Sequence, residues 1–285
     1  NGTAPGLILE GNGKLVILLP GPPNELIPMF ENQVYPFLHS RQPEVIYSRM
    51  VKVCGIGESM LEEQIRDLID SQTNPTIATY AKTGEVHLRI TARAEDEAAA
   101  KKMIKPMIRE LKERFGKNIY TTDEKKTLED CVVDLLKDQK LTLTTVESCT
   151  GGALSARIIN VPGASEVLKQ GLVTYSNRAK RKFTLVKKST LKDEGAVSAK
   201  TAKEMAKGAL ESTDCDISVS VTGLAGPDGG TKEKPVGLVY IGCAYRDHTK
   251  VREFHFNGNR NKIREQSVVA ALVLLRDCIL EHYQS

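Results

Sequence analysis

Tryptophan is absent from the 285 residues, an absence without functional meaning. More telling is the sparse use of cysteine. The six cysteines, Cys54, Cys131, Cys149, Cys215, Cys243 and Cys278, are scattered, and none forms a CxxC pair. That spacing argues against a disulfide framework and against a zinc site, and fits free thiols in a cytoplasmic protein. Long apolar runs are missing too. The longest, Val268 to Leu275, is far too short to cross a bilayer, so no membrane partner is expected. Charge of one sign is also scarce. A net charge of +4 over this length does not announce nucleic acid. No secretory signal is visible at the N-terminus. The first residue is Asn1 rather than Met, which suggests a piece of a longer protein.

What is present reads as an ordinary globular chain, 40% hydrophobic and 27% charged. Its length suits about two domains. Three segments emerge. Residues 1–44 contain LVILL, a run suited to a fully buried strand, ended by Pro20-Gly21-Pro22-Pro23. Asn24 is placed to cap a short helix, NELIPMF. One strand and one helix make no core, so this segment reads as the tail of a larger α/β domain.

Residues 45–122 read as β-α-β-β-α-β, a split βαβ unit. VIYSRMVKVC opens it, and Ser59 with Glu62 suggests a capping box ahead of Leu61, Ile65 and Leu68. TIATYA and EVHLRITAR flank the turn Lys82-Thr83-Gly84, and Val86, Leu88, Ile90 and Ala92 alternate. A charged helix spans about residues 95–115, and a short strand follows near Asn118-Ile119-Tyr120. His87 falls on the polar face of its strand and is expected to be exposed.

Residues 123–285 read as a three-layer α/β domain. Thr127 and Asp130 form a capping-box pair ahead of an apolar stripe. Strand LTLTTV runs into ESCTGG, and strand ISVSVT runs into GLAGPDGG. Ligands in open α/β sheets bind beyond the carboxyl ends of strands, so both turns are expected to line one crevice. The predicted fold class is therefore α/β throughout: a three-layer domain, a small split unit and an α/β fragment.

Four stretches carry chemistry. In ESCTGG, Gly151 and Gly152 permit close backbone approach, and amides at a helix start attract an anion such as phosphate. The plainer reading is that Ser148 or Thr150 caps the helix that follows. Cys149 lacks an evident base and reads as a small buried thiol. In GLVTYSNRAKRK, Tyr175, Ser176, Asn177 and Lys180 gather a phenol, a hydroxyl, an amide and an amine. A neutral lysine beside a serine makes a nucleophile–base pair. Ser165, just upstream in VPGASEVLKQ, is one such serine, although an N-cap ahead of a helical EVLKQ is its plainer reading. The loop after ISVSVT is long and rich in glycine and proline, as functional loops often are. Its Asp228 suits a metal or a ribose, or simply an Asp-Gly turn. Arg260, in NGNR, suits a phosphate or open solvent.

TVESCTGG, VPGAS, GLVTYSNRAK, GAVS, SVTGLAGPDGG, KPVG and GNR occur in this order across residues 145–260. Together they resemble the C-terminal domain of the competence/damage-inducible CinA family, whose members include nicotinamide mononucleotide deamidases. NGTAPG and LPGPPNE resemble the end of the molybdopterin-biosynthesis-like domain that opens long CinA proteins, and residues 45–122 resemble their KH-like domain. The resemblance implies hydrolysis of nicotinamide mononucleotide to nicotinic acid mononucleotide and ammonia, in pyridine nucleotide recycling. It implies Ser165 as nucleophile, Lys180 as its base, and Tyr175 and Thr222 nearby. Ser148, Thr150, Gly151, Gly152, Asn177, Gly223 and Arg260 are the implied substrate-binding positions. Deamidation of this kind needs no metal or other cofactor. Long members of the family also resemble ADP-ribose pyrophosphatases that use the first domain and a divalent metal. With only that domain's tail in residues 1–44, no such activity is expected of this chain. The alternatives are a catalytically silent nucleotide-binding module, a part of a longer bifunctional protein that also hydrolyses ADP-ribose, and a nucleic-acid binder. The last would need a GXXG clamp, and Gly55-Ile56-Gly57-Glu58 lacks the spacing. At least a dimer is expected.

Overall fold

Exposed leucines and isoleucines mark the first element of the described residues, a two-stranded β-hairpin. The computed structural model describes residues 4–42 and 44–283, so the first three residues of NGTAPG lie outside the described residues. Strands β1 (Leu7–Gly11) and β2 (Lys14–Leu18) pair only with each other. LVILL is thus not the fully buried strand that its composition predicts. Leu9, Val16 and Leu18 are about half exposed, while Leu15 and Ile17 are only half-buried, since no third strand joins the hairpin among the described residues. Helices α1 (Pro23–Met29) and α2 (Tyr35–Arg41) follow. Asn24 does not cap α1. The helix already starts at Pro23, whose fixed φ suits the first helical position.

The middle unit has the predicted order. It comprises β3 (Val45–Cys54), α3 (Glu58–Gln64), α4 (Arg66–Asp70), β4 (Thr76–Lys82), β5 (Glu85–Ala94), α5 (Glu97–Phe115) and β6 (Ile119–Thr121). Its antiparallel sheet runs β4-β5-β3-β6. Val51, Val53, Leu88 and Ile90 bury one face against Leu61, Ile104 and Leu111. Two local expectations fail. Ser59 lies inside α3, which Gly57 precedes without a side-chain cap. His87 is half-buried rather than exposed, 3.2 Å from the Tyr120 hydroxyl and 3.4 Å from Glu85, because another unit packs on that side.

The C-terminal unit contains α6 (Leu128–Asp138), β7 (Leu143–Glu147), α7 (Ala153–Ile159), β8 (Leu168–Val173), α8 (Asn177–Thr184), α9 (Lys188–Asp193), α10 (Ala199–Thr213), β9 (Ile217–Gly223), β10 (Leu238–Tyr245), β11 (His248–His255) and α11 (Arg260–His282). The capping box of Thr127 and Asp130 is present at α6. EVLKQ is not helical. After a short 3-10 turn it becomes edge strand β8, since its backbone pairs with β7.

The sheet order is β11-β10-β9-β7-β8, with β8 and β9 both parallel to β7. Alternation along β9 explains the three layers. Ile217, Val219 and Val221 face the core shared with α6, α7 and α11. Ser218, Ser220 and Thr222 point the other way and donate to the carbonyls of Ala206, Ala202 and Ala196. Those hydroxyls hold α10 and its leading loop to the opposite face.

Gly208 lets α10 meet the end of α8. A Cβ there would sit 2.0 Å from the Thr184 carbonyl oxygen. Gly208→Ala is expected to destabilise the protein by about 1–3 kcal/mol, because one helix backbone must retreat from another. The check is the thermal midpoint, and a midpoint at or above wild type would contradict this packing.

Candidate active site

Because β7, β8 and β9 are parallel, the turns that follow them share one rim of the sheet. Ser148 and its successors leave β7 there, Thr174 and Tyr175 leave β8, and the 224–237 loop leaves β9. Ser148 is tied to this rim by its amide, which donates to the Val221 carbonyl at 2.9 Å. The two glycine-rich turns therefore lie at one rim of the sheet.

Lys180 enters the rim from the first turn of α8, which Ser176 caps through the Ala179 amide. Its side chain is only 1% exposed. The ammonium nitrogen lies 2.9 Å from Ser148 Oγ and 2.7 Å from the Thr174 carbonyl oxygen. Among the described residues no carboxylate contacts it. Burial without a counter-charge disfavours the cationic form and pushes its pKa down to about 8. The fold has built a serine–lysine pair, and the serine is Ser148.

Ser165 is elsewhere. It precedes β8, whereas Thr174 follows it, so the two ends of that strand stand between Ser165 and Lys180. Five residue steps of strand span roughly 17 Å. Ser165 is exposed in the 3-10 turn, its carbonyl accepts from Lys169 at 3.2 Å, and it borders a surface cavity of about 440 Å³ with Val161, Pro162 and Gly171. The pairing of Ser165 with Lys180 implied by resemblance is corrected on this geometry.

The ESCTGG turn also differs from its expected role. Gly151 and Gly152 both have positive φ, +61° and +94°, so the turn itself demands them. Their amides are already used. Gly151 donates to the Ser148 carbonyl, and Gly152 donates to Glu147. Glu147 is fully buried, and its carboxylate accepts from the amides of Gly152, Leu154 and Ser155 and from the Ser155 hydroxyl, all at 2.6–3.0 Å. The start of α7, expected to attract a substrate phosphate, thus holds the chain's own carboxylate. Thr150 is wholly buried, with its hydroxyl unpartnered and its carbonyl accepting from Arg264 at 2.7 Å. Among the described residues, the amides of Cys149 and Thr150 have no hydrogen-bond acceptor. Cys149 is buried, which pushes its thiol pKa up to about 11 and leaves it a poor nucleophile.

A second group lies beside the pair. Tyr175 is 63% exposed, and its hydroxyl is 3.3 Å from the Arg260 guanidinium, which also donates to the Gly226 carbonyl at 2.6 Å. One helical turn along α11, Arg264 donates to the carbonyls of Cys149 and Thr150, so α11 ties the two groups together. Thr222 is buried at the end of β9 and donates to Ala196, which pins the GAVS loop. Gly223 allows close approach of β10, since a Cβ would meet the Leu238 carbonyl at 2.8 Å. Asn177 is exposed at the start of α8 and Asp228 in the 224–237 loop. Thr174, Arg264 and Glu147 escaped the sequence reading. Arg264 alone left a trace, its four-residue spacing from Arg260.

The described residues hold no cluster of His, Cys, Asp and Glu suited to a metal ion, and no helix among them is long and apolar enough to cross a membrane. Residues 125–279 match the CinA C-terminal domain, and residues 48–121 match the damage-inducible protein CinA KH domain. A Clostridium acetobutylicum protein named for competence-damage induction is 53% identical over 97% of this chain, which spans 67% of that protein's length. The crystal structure of competence/damage inducible protein CihA from Agrobacterium tumefaciens is 39% identical, with a TM-score of 0.51 over 52% of this chain and 91% of its own. A CinA superfamily protein from Klebsiella pneumoniae is 32% identical, with a TM-score of 0.53 over 54% of this chain and 96% of its own. With the CinA model covering more than half of it and close relatives along nearly all of it, the chain belongs to the CinA family.

Proposed function

We propose that this protein hydrolyses the carboxamide of nicotinamide mononucleotide, with Ser148 as nucleophile and Lys180 as general base. The observation that carries the reading is the 2.9 Å contact between a buried, unpaired lysine and a serine at the carboxyl end of a parallel strand. A carboxamide is a weak electrophile, so the serine needs a strong base close by, and a lysine titrating near 8 supplies one around neutral pH.

In the first step the neutral Lys180 amine takes the Ser148 hydroxyl proton as Oγ attacks the carboxamide carbon. The carbonyl oxygen becomes an oxyanion, to which the amides of Cys149 and Thr150, without an acceptor among the described residues, are free to donate. On collapse the C–N bond breaks, and the Lys180 ammonium returns its proton to the departing nitrogen, releasing ammonia. Lys180 then deprotonates a water that attacks the ester on Ser148. Nicotinic acid mononucleotide leaves and the hydroxyl is restored. The Thr174 carbonyl keeps the lysine aimed throughout. The exposed Tyr175 ring offers a face to the cationic pyridine, and Arg260 offers a planar fork to the 5′-phosphate.

The test is ammonia release from nicotinamide mononucleotide by the purified chain. Release well above the uncatalysed background is expected, and none would sink the reading. Arg260→Lys is expected to raise KM about ten-fold with a smaller change in kcat, since a lysine cannot replace the fork. An unchanged KM would remove Arg260 from phosphate binding.

A further inference from the structure

Two helices that adjoin the candidate site, α7 and α11, also carry contacts to the KH-like unit. On α11, Arg260 and Arg264 serve the rim. Further along, Val269 meets Gly84, Val273 meets Gly55, and Arg276 donates to the carbonyls of Lys117 and Ile119. On α7 the arrangement is tighter. Its first turn follows the Ser148 turn directly and is clamped by Glu147. Its last turn carries Arg157, whose guanidinium lies 3.5 Å from Glu85 of the KH-like unit and 3.0 Å from Glu129 of α6. Glu85 is itself buried and held by Tyr120 and His87.

We propose that Arg157 is a positioning residue for the Ser148–Lys180 pair, braced from the KH-like unit by Glu85, so that this unit holds the nucleophile's turn in register. The inference rests on the deamidase reading above for its catalytic readout. A helix of seven residues, about 10 Å long, has no stability of its own, so its placement is decided by what grips it. Leu154 and Ile158 anchor it in the core along one face. Among the described residues, Arg157 is the α7 side chain that forms an ion pair across the seam between units. On the side away from Ile158 the far end of α7 borders a cavity of about 280 Å³ shared with Glu85, His87 and Tyr120, where the Arg157 ion pairs supply the contact. Any tilt of α7 passes through the Glu147 clamp to residues 148–152. Serine attack is sensitive to shifts of an ångström, which can cost on the order of a hundred-fold in rate.

Arg157→Met removes both ion pairs and leaves the core side chains in place. It is expected to lower kcat about ten-fold with KM within about two-fold, as for a change felt only in the transition state. Arg157→Lys should recover part of that loss. Glu85→Gln, which leaves α7 untouched, should lower kcat in the same direction by about three-fold. Amide exchange at residues 152–155 should quicken in Arg157→Met. Arg276→Met is the control: it breaks seam bonds to Lys117 and Ile119 but touches neither α7 nor the pair, so kcat and the 152–155 exchange should stay at wild-type values. An unchanged kcat in Arg157→Met, or an equal loss in Arg276→Met, overturns the brace. If the wild type releases no ammonia, the deamidase reading fails by itself. Exchange then decides the brace: faster exchange at 152–155 supports it, and unchanged exchange overturns it.

Discussion

Ser148→Ala is expected to reduce ammonia release from nicotinamide mononucleotide by on the order of 10³- to 10⁶-fold, while Ser165→Ala stays within about two-fold of wild type. The difference follows from position. Ser148 Oγ touches the buried amine of Lys180, and Ser165 lies beyond the opposite end of β8 on an exposed turn. Without Oγ no covalent route remains, and only binding and the two free amides of residues 149 and 150 are left to assist direct attack by water. The neighbouring thiol is a poor substitute, since burial pushes the Cys149 pKa up to about 11 and, among the described residues, no base is hydrogen-bonded to it. Steady-state rates of the two variants check the prediction. Loss in Ser165→Ala with retention in Ser148→Ala would reverse the assignment.

The second large effect concerns Lys180. Lys180→Met is expected to lower kcat by about 10²- to 10⁴-fold, the usual worth of a general base. In the wild type, kcat/KM should rise as pH increases through about 8, because the amine must lose its proton to serve as base. The same shift has a signature in stability. The folded-state pKa of about 8 lies below the ordinary value of 10.5. Between those values the unfolded chain binds more protons, so this group's contribution to stability rises with pH across that window. Below pH 8 the lysine is charged in both states, and the full cost of burying its charge is present. The thermal midpoint of Lys180→Met relative to wild type should therefore rise as pH falls from about 10.5 to 8 and level off below. A pH-independent difference, or a rate profile flat through 8, would mean that the amine is not the titrating base.

Much of this architecture was legible in the residues. The alternation of Val86, Leu88, Ile90 and Ala92 identified β5 and its buried face. Thr127 and Asp130 marked the start of α6, because capping is a local interaction that three residues decide. Strand-then-glycine order placed both turns of the candidate site at strand ends, and the parallel sheet put them on one rim. Lys180, Tyr175 and Arg260 stand out in the sequence by residue type, and they lie at that rim.

Failures came where the deciding contact is distant in sequence. LVILL has the composition of a buried strand, but burial depends on covering layers on both faces, and β2 is only half-buried on one and exposed on the other. EVLKQ has helical spacing, yet pairing with β7 makes it a strand. Ser165 and Ser148 are equally plausible serines in one dimension. Only the parallel pairing of β7 with β8 sends one to the lysine and the other to the far end. Amides at the start of α7 promised a phosphate site, and Glu147, five residues before Gly152, occupies them.

By itself, then, the sequence determined the fold class, the order of its elements and the short list of reactive groups, because periodicity, capping and turn chemistry act over a few residues. Which serine meets Lys180, whether that lysine is stripped of water, and which helices lean on the KH-like unit were decided by tertiary structure alone. Each depends on strand pairing and burial between segments tens of residues apart, Ser148 and Lys180 among them.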